Sequence, residues 1–271
     1  MTAGKVKAYI KQNWLLYGIG ITIIYGIKHF YSAAGSEALS WILAPTAWWA
    51  GTLGGIDFIK EPRVGYISQA YRFIIEPACS GVQFMTITMA ALIFSYVHRM
   101  GTLRRGLCWI GICAGFSYLV TVFVNGFRIA VSIFLPVYMD KYNISVGLSP
   151  EKLHTAIGTA IYFISLLVVY QSAGVISRKI ARTSAGVPPA GNPIVHVMGR
   201  FMPPVFWYLS ILLGIPLLTL AYRKDTGKFF EYTKEITAVC LAALFLFCLA
   251  YLIRGHYGGK NEKSHGNPPL P

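Results

Sequence analysis

Charge is scarce in this sequence, and acidic charge scarcest: 10 Asp and Glu stand against 24 Lys and Arg in 271 residues, and charged residues together make up 13%. With 55% hydrophobic residues beside it, that shortage excludes an ordinary soluble domain. Cysteine is sparse too. The five (Cys79, Cys108, Cys113, Cys240 and Cys248) show no Cys-x-x-Cys and no histidine-rich spacing, which argues against a metal site or a disulfide framework. No metal or cofactor is expected. Absent as well are a Gly-x-Ser-x-Gly elbow, a His-Glu-x-x-His helix and a phosphate-binding loop. The net charge of +14 is scattered among short loops, with no basic stripe interleaved with aromatics, so nucleic acid is not an expected partner. No small-residue cleavage site follows the first apolar run, which therefore reads as a retained span and not as a signal peptide.

What is present is a series of apolar runs, several long enough for the ~20 helical residues that cross a bilayer core. The expected fold is an all-α polytopic membrane protein of six to eight transmembrane helices, with the lipid bilayer as its surroundings. The first span covers about 13–31. The segment 38–54 is short, broken by Pro45 and rich in Trp41, Trp48 and Trp49, so it reads as re-entrant or surface-lying, with a true span as the alternative. Short strand-like runs fill 55–75, separated by turn residues, and predict a small extracytoplasmic β-like segment. Further spans are expected at about 80–97, within 106–139 and at 150–176. Because 106–139 is too long for one crossing, its end should project or fold back. In domain terms, 1–184 is a membrane core, 185–202 a Pro/Gly linker, 203–253 a further transmembrane hairpin and 254–271 a polar tail. Placing the N-terminus, the 98–105 loop, the 177–202 segment and the tail on one side puts 13 bases and a single acid there. The positive-inside rule makes that side cytoplasmic.

Three segments then bring polar residues to the outer surface. Glu76-Pro77-Ala78-Cys79-Ser80-Gly81-Val82-Gln83 places a thiol at the start of a span. Ser80 and Gln83 fit a capping box, and the helix N-terminus favours thiolate. A run of small residues is also how helix ends pack closely. Asn125 and Arg128 share a helix face by their i, i+3 spacing, and an arginine near hydrocarbon must be paired or reach water. Ser149-Pro150-Glu151 opens a helix that carries His154, with Gly158 and Tyr162 on the same face. A Cys–His pair can supply a nucleophile and its base, and a guanidinium can hold an oxyanion. The competing reading is a non-enzymatic transporter, or an assembly scaffold for exported polysaccharide, with Arg128 and His154 lining an anion or proton pathway.

Taken in order, Pro77-Ala78-Cys79-Ser80-Gly81-Val82-Gln83, Asn125-Gly126-Phe127-Arg128-Ile129 and His154 at the opening of a span resemble the exosortase/archaeosortase family, as does Ala44-Pro45-Thr46-Ala47. The resemblance covers roughly 39–180. It implies a membrane cysteine transpeptidase/protease with Cys79, Arg128 and His154 as catalytic residues, and with Asn125, Glu76, Ser80 and Gly81 in support. Its implied partners are membrane-anchored proteins with a C-terminal sorting tail: a short Pro-Glu-Pro-like motif, a span and a basic end. Cleavage would occur at the outer face of the cytoplasmic membrane, with the new C-terminus passed to an unidentified acceptor. The chain departs from the family pattern in that Pro77 separates Glu76 from Ala78, so Glu76 is expected to be structural. The region after 185 lies outside the shared core.

Overall fold

The computed structural model describes residues 3–144, 147, 149–180, 193–218 and 226–263. Residues 185–192 of the expected 185–202 linker and the last residues of the tail, 264–271, lie outside that set. Helices α1 (Ala3–Ala33), α2 (Ser40–Gly54), α3 (Val82–Tyr96), α4 (Leu103–Lys141), α5 (Pro150–Ile180), α6 (Pro193–Leu209), α7 (Ile215–Leu218) and α8 (Thr226–Lys263) make up the bulk of the fold. A three-stranded antiparallel sheet, β1 (Ile59–Glu61), β2 (Gly65–Ser68) and β3 (Phe73–Ile75), occupies the strand-like stretch. Its register pairs Ile59 with Ile67 and Tyr66 with Ile75.

Among the described residues, four helical stretches are long and apolar enough to cross a membrane: Pro77–Arg99, Leu103–Lys141, Pro150–Ile180 and Phe229–Leu249. The chain is thus a mostly helical, polytopic membrane protein. The apolar stretch Phe201–Leu217, which overlaps the first half of the expected hairpin, is shorter than these. A π-turn at Ser210–Gly214 joins α6 to α7. Helix α8 continues to Lys263, through the first part of the expected 254–271 tail.

Sequence determines the helix starts in different ways. Ser149 caps α5, its Oγ accepting the Lys152 N–H at 3.4 Å, and Pro150 takes the first helical position, where a missing N–H costs nothing. Thr102 caps α4 in the same way through Arg105. Helix α4 neither folds back nor stops at Arg128. It runs unbroken for 39 residues, about 58 Å at 1.5 Å per residue, with Pro136 tolerated inside it.

Helix α3 is the hub of the bundle. Nearly all of its residues are buried, and it lies against α1, α4, α5 and α6. Apolar burial against lipid supplies little driving force, so close approach and hydrogen bonds must hold such helices together. The far end of α3 has both. The Tyr96 hydroxyl donates to the Tyr170 carbonyl at 2.9 Å, and a side chain on Gly174 would meet that hydroxyl at 2.9 Å. Gly174 therefore keeps the carbonyl reachable.

Helix α2 lies parallel to the second half of α4. The Tyr118 hydroxyl donates to Trp41 O at 2.9 Å and Trp49 Nε1 donates to Phe123 O at 3.1 Å. Gly54, at the far end of α2, faces Phe134. Fifteen residues give about 22 Å of helix, short of a ~30 Å hydrocarbon core, so α2 does not cross alone. Its buried face (Ile42, Leu43, Ala47 and Ala50) joins Ile75 and Val82 in a second core cluster beneath the sheet. In this way β3 and the residues after it are anchored directly above α4.

Candidate functional site

The chain leaves β3 at Ile75, makes one 3-10 turn over Pro77–Cys79 and enters α3 at Val82. The expected capping box does not form. Gly81, at φ 75°, is the N-cap residue, and Ser80 Oγ instead faces the Val82 N–H at 3.5 Å. The reason is local. A left-handed residue at 81 ends the turn and rotates Ser80 into the interior, where it is buried, while Gln83 points to a cavity. Gly81 is required twice over, since a Cβ there would stand 2.9 Å from Thr121 Cγ2 and 3.1 Å from Asn125 Cγ. Glu76 contributes through its backbone, its carbonyl accepting the Cys79 N–H at 2.8 Å, and its side chain is exposed.

Asn125 is fully buried and makes the link between the turn and α4. Its Nδ2 donates to the Cys79 carbonyl at 2.6 Å, and its Oδ1 accepts the Tyr162 hydroxyl at 2.6 Å and Arg128 Nη1 at 3.4 Å. Arg128, one turn further along α4, places Nη2 2.7 Å from His154 Nε2 and Nη1 3.5 Å from the Tyr162 hydroxyl. A guanidinium has only donors, so His154 Nε2 is the acceptor and its ring proton sits on Nδ1. The imidazole is neutral in this arrangement. The guanidinium carbon also lies 5.3 Å from the centre of the Tyr162 ring, which stacks on Phe84 at 4.6 Å and 8°. Gly158 makes room for this, because a Cβ there would come within 2.8 Å of Arg128 Nε. The guanidinium is near enough to Cys79 to act on its half-buried thiol electrostatically.

Arg128, His154 and Tyr162 border a cavity of ≈ 180 Å³. Ala78 and Gly81, on either side of the Cys79–Ser80 pair, form part of its wall, together with Arg128, His154 and Tyr162. The C-terminal helices close it with Tyr208, Leu212 and Tyr232. Lys152, two residues before His154, ties α5 to α8 through Glu235 at 2.9 Å and Glu231 at 3.5 Å.

Cys79, Asn125, Arg128 and His154, picked out from the sequence, thus meet in one place. Tyr162 is more central than its sequence position suggests. The sequence signal is the His154, Gly158, Tyr162 spacing of four residues, which stacks all three on one face of α5. Tyr31, whose hydroxyl donates to Pro77 O at 3.3 Å, and Tyr208 and Tyr232 carry no such signal. Among the described residues no cluster of histidine, cysteine and acidic side chains could hold a metal ion.

The fold is that of a polytopic helical membrane protein with a thiol, an imidazole and a guanidinium gathered at one end of the bundle. The sequence matches the family model of the transmembrane exosortases over residues 8–171, and the chain belongs to that family. The match begins earlier than the 39–180 expected from motifs alone and takes in α1. No curated protein and no solved structure matches significantly. Membership implies, at family level, a transpeptidase-like enzyme acting in a membrane on proteins that carry sorting signals.

Proposed function

We propose that this protein is a cysteine transpeptidase/protease of the cytoplasmic membrane that cleaves the C-terminal sorting signal of exported proteins at the outer face. The observation that carries the reading is the 2.7 Å contact between Arg128 and a neutral His154, beside Cys79 and open to the cavity. The crowding of bases near the opposite end of α4 and α5 supports the outward orientation.

In the proposed reaction the substrate carbonyl enters against Cys79. Arg128 turns from His154 toward the developing oxyanion, where such a donor is worth ~3 kcal/mol. That movement frees Nε2 to take the thiol proton as sulfur attacks the carbonyl carbon. The C–S bond forms, the tetrahedral adduct collapses and the C–N bond breaks, with His154 returning the proton to the departing amine. A thioester on Cys79 remains. Water, or an acceptor amine or hydroxyl, then attacks it; His154 removes the attacking proton and the thiol is released. Asn125 serves by holding both the Cys79 carbonyl and Arg128.

The test is Cys79→Ala in membranes that contain a reporter with a Pro-Glu-Pro-like motif, a span and a basic end. The variant should insert and fold normally yet leave the reporter uncleaved. Processing at the parental rate would overturn the assignment.

A further inference from the structure

A second cavity lies at the opposite end of α4 and α5 from Cys79. It measures ≈ 310 Å³ and is walled by Met100, Trp109, Ile112 and Ile180, with Cys108 on its flank and Arg104 and Arg105 at its rim. The indole of Trp109 is buried and fixed by a 3.3 Å hydrogen bond from Nε1 to Leu92 O, so the wall is rigid. The two arginines are exposed, and no acidic side chain among the described residues pairs with either. They stand in the first turn of a 39-residue helix, the end whose dipole repels cations and attracts anions. Two guanidinium groups at that end, with no acidic partner among the described residues, suit an anion between them.

The apolar side of the cavity says which kind. From Cys108 an exposed ridge continues along α4 through Ile112 and Phe116, and Leu119 lies beside its end. Eleven residues of helix measure about 16 Å, the reach of much of an acyl chain. A free phosphate would use the rim and leave the ridge unused. We propose that this cavity is a binding site for an anionic phospholipid, with its phosphodiester between Arg104 and Arg105 and one acyl chain along Trp109, Ile112 and Phe116. Basic pockets between transmembrane helices are known to suit such headgroups. The site is separate from the Cys79 cavity and does not depend on the reaction proposed there.

Cys108 provides a local reporter because it is exposed on the cavity flank. The full chain, purified in dodecyl maltoside, would be alkylated with N-ethylmaleimide and the rate at Cys108 followed by peptide mass mapping. Added palmitoyl-oleoyl phosphatidylglycerol should slow that rate several-fold. Phosphatidylcholine at the same mole fraction, or glycerol 3-phosphate, should not. The double variant Arg104→Gln, Arg105→Gln should lose the effect, whereas Arg63→Gln with Arg72→Gln, which removes equal charge at the sheet, should keep it. Equal protection by the two lipids would overturn the proposal, as would protection that survives in the double variant. Protection by glycerol 3-phosphate alone would reduce the site to a simple anion site and overturn the lipid assignment.

Discussion

Arg128 is the residue on which the site's hydrogen bonds converge. Its Nη1 faces Asn125 and Tyr162 while Nη2 faces His154, a division of labour that only a planar, forked cation can manage. Lysine offers one point charge. Arg128→Lys should therefore leave insertion intact and abolish reporter cleavage, whereas a simple interfacial anchor would tolerate the change. Tyr162→Phe is the finer test. The ring would still stack on Phe84, but Asn125 Oδ1 would lose its 2.6 Å donor in a buried setting. Leaving that acceptor short costs ~1–3 kcal/mol, so cleavage should slow roughly ten- to hundredfold at saturating substrate while the apparent KM stays close to the parental value. At this scale the sequence was legible where one helix carried the pattern. Asn125 with Arg128, and His154 with Gly158 and Tyr162, are spaced to share a face. Tyr31, Tyr208 and Tyr232 come from three other helices, and nothing in their neighbouring residues announces where those helices pack.

Among the elements, the turn that presents Cys79 is the one whose sequence pattern misled. Ser80 and Gln83 have the spacing of a capping box, but Gly81 between them takes the left-handed conformation and becomes the cap itself. A pattern of residue types does not report φ. Gly81→Ala should cost ~1–2 kcal/mol for backbone strain alone, and more from the contacts with Thr121 and Asn125. Thermal unfolding in detergent should show the loss, with cleavage falling further than stability because Asn125 is displaced. The sheet has its own tie, from Lys60 Nζ to Glu37 Oε2 at 2.7 Å. That hydrogen bond holds the Glu37 carboxyl below its usual range. The contribution is therefore present above the ordinary carboxylate pKa and lost as pH falls through the depressed one. Protection of β1 amides, taken relative to the intrinsic exchange rate at each pH, should fall over that acid window in the parent and should not change over it in Glu37→Gln.

Viewed whole, the molecule joins a family core to helices beyond it. The match to transmembrane exosortases ends at residue 171, yet Tyr208, Leu212 and Tyr232 complete the wall of the Cys79 cavity. The pairs from Lys152 to Glu231 and Glu235 hold that wall against α5. Lys152→Glu should repel both carboxylates, so alkylation of Cys79 by a bulky water-soluble maleimide should speed up while Cys113, buried in the core, stays unreactive. Hydropathy made the polytopic class legible, but not the number of crossings: α2 stops short of a span's length, and α4 runs well past it. The bond from Asn125 to the Cys79 carbonyl has one more consequence. Bilayers that are too thin or too thick are accommodated by tilting helices. The turn bearing the thiol is fastened to α4, and the guanidinium grows from that same helix one turn on, so both ride together when α4 leans. The imidazole rides on α5. Changes in membrane thickness are thus registered at the arginine–histidine joint, and the sulfur keeps its distance from the positive charge.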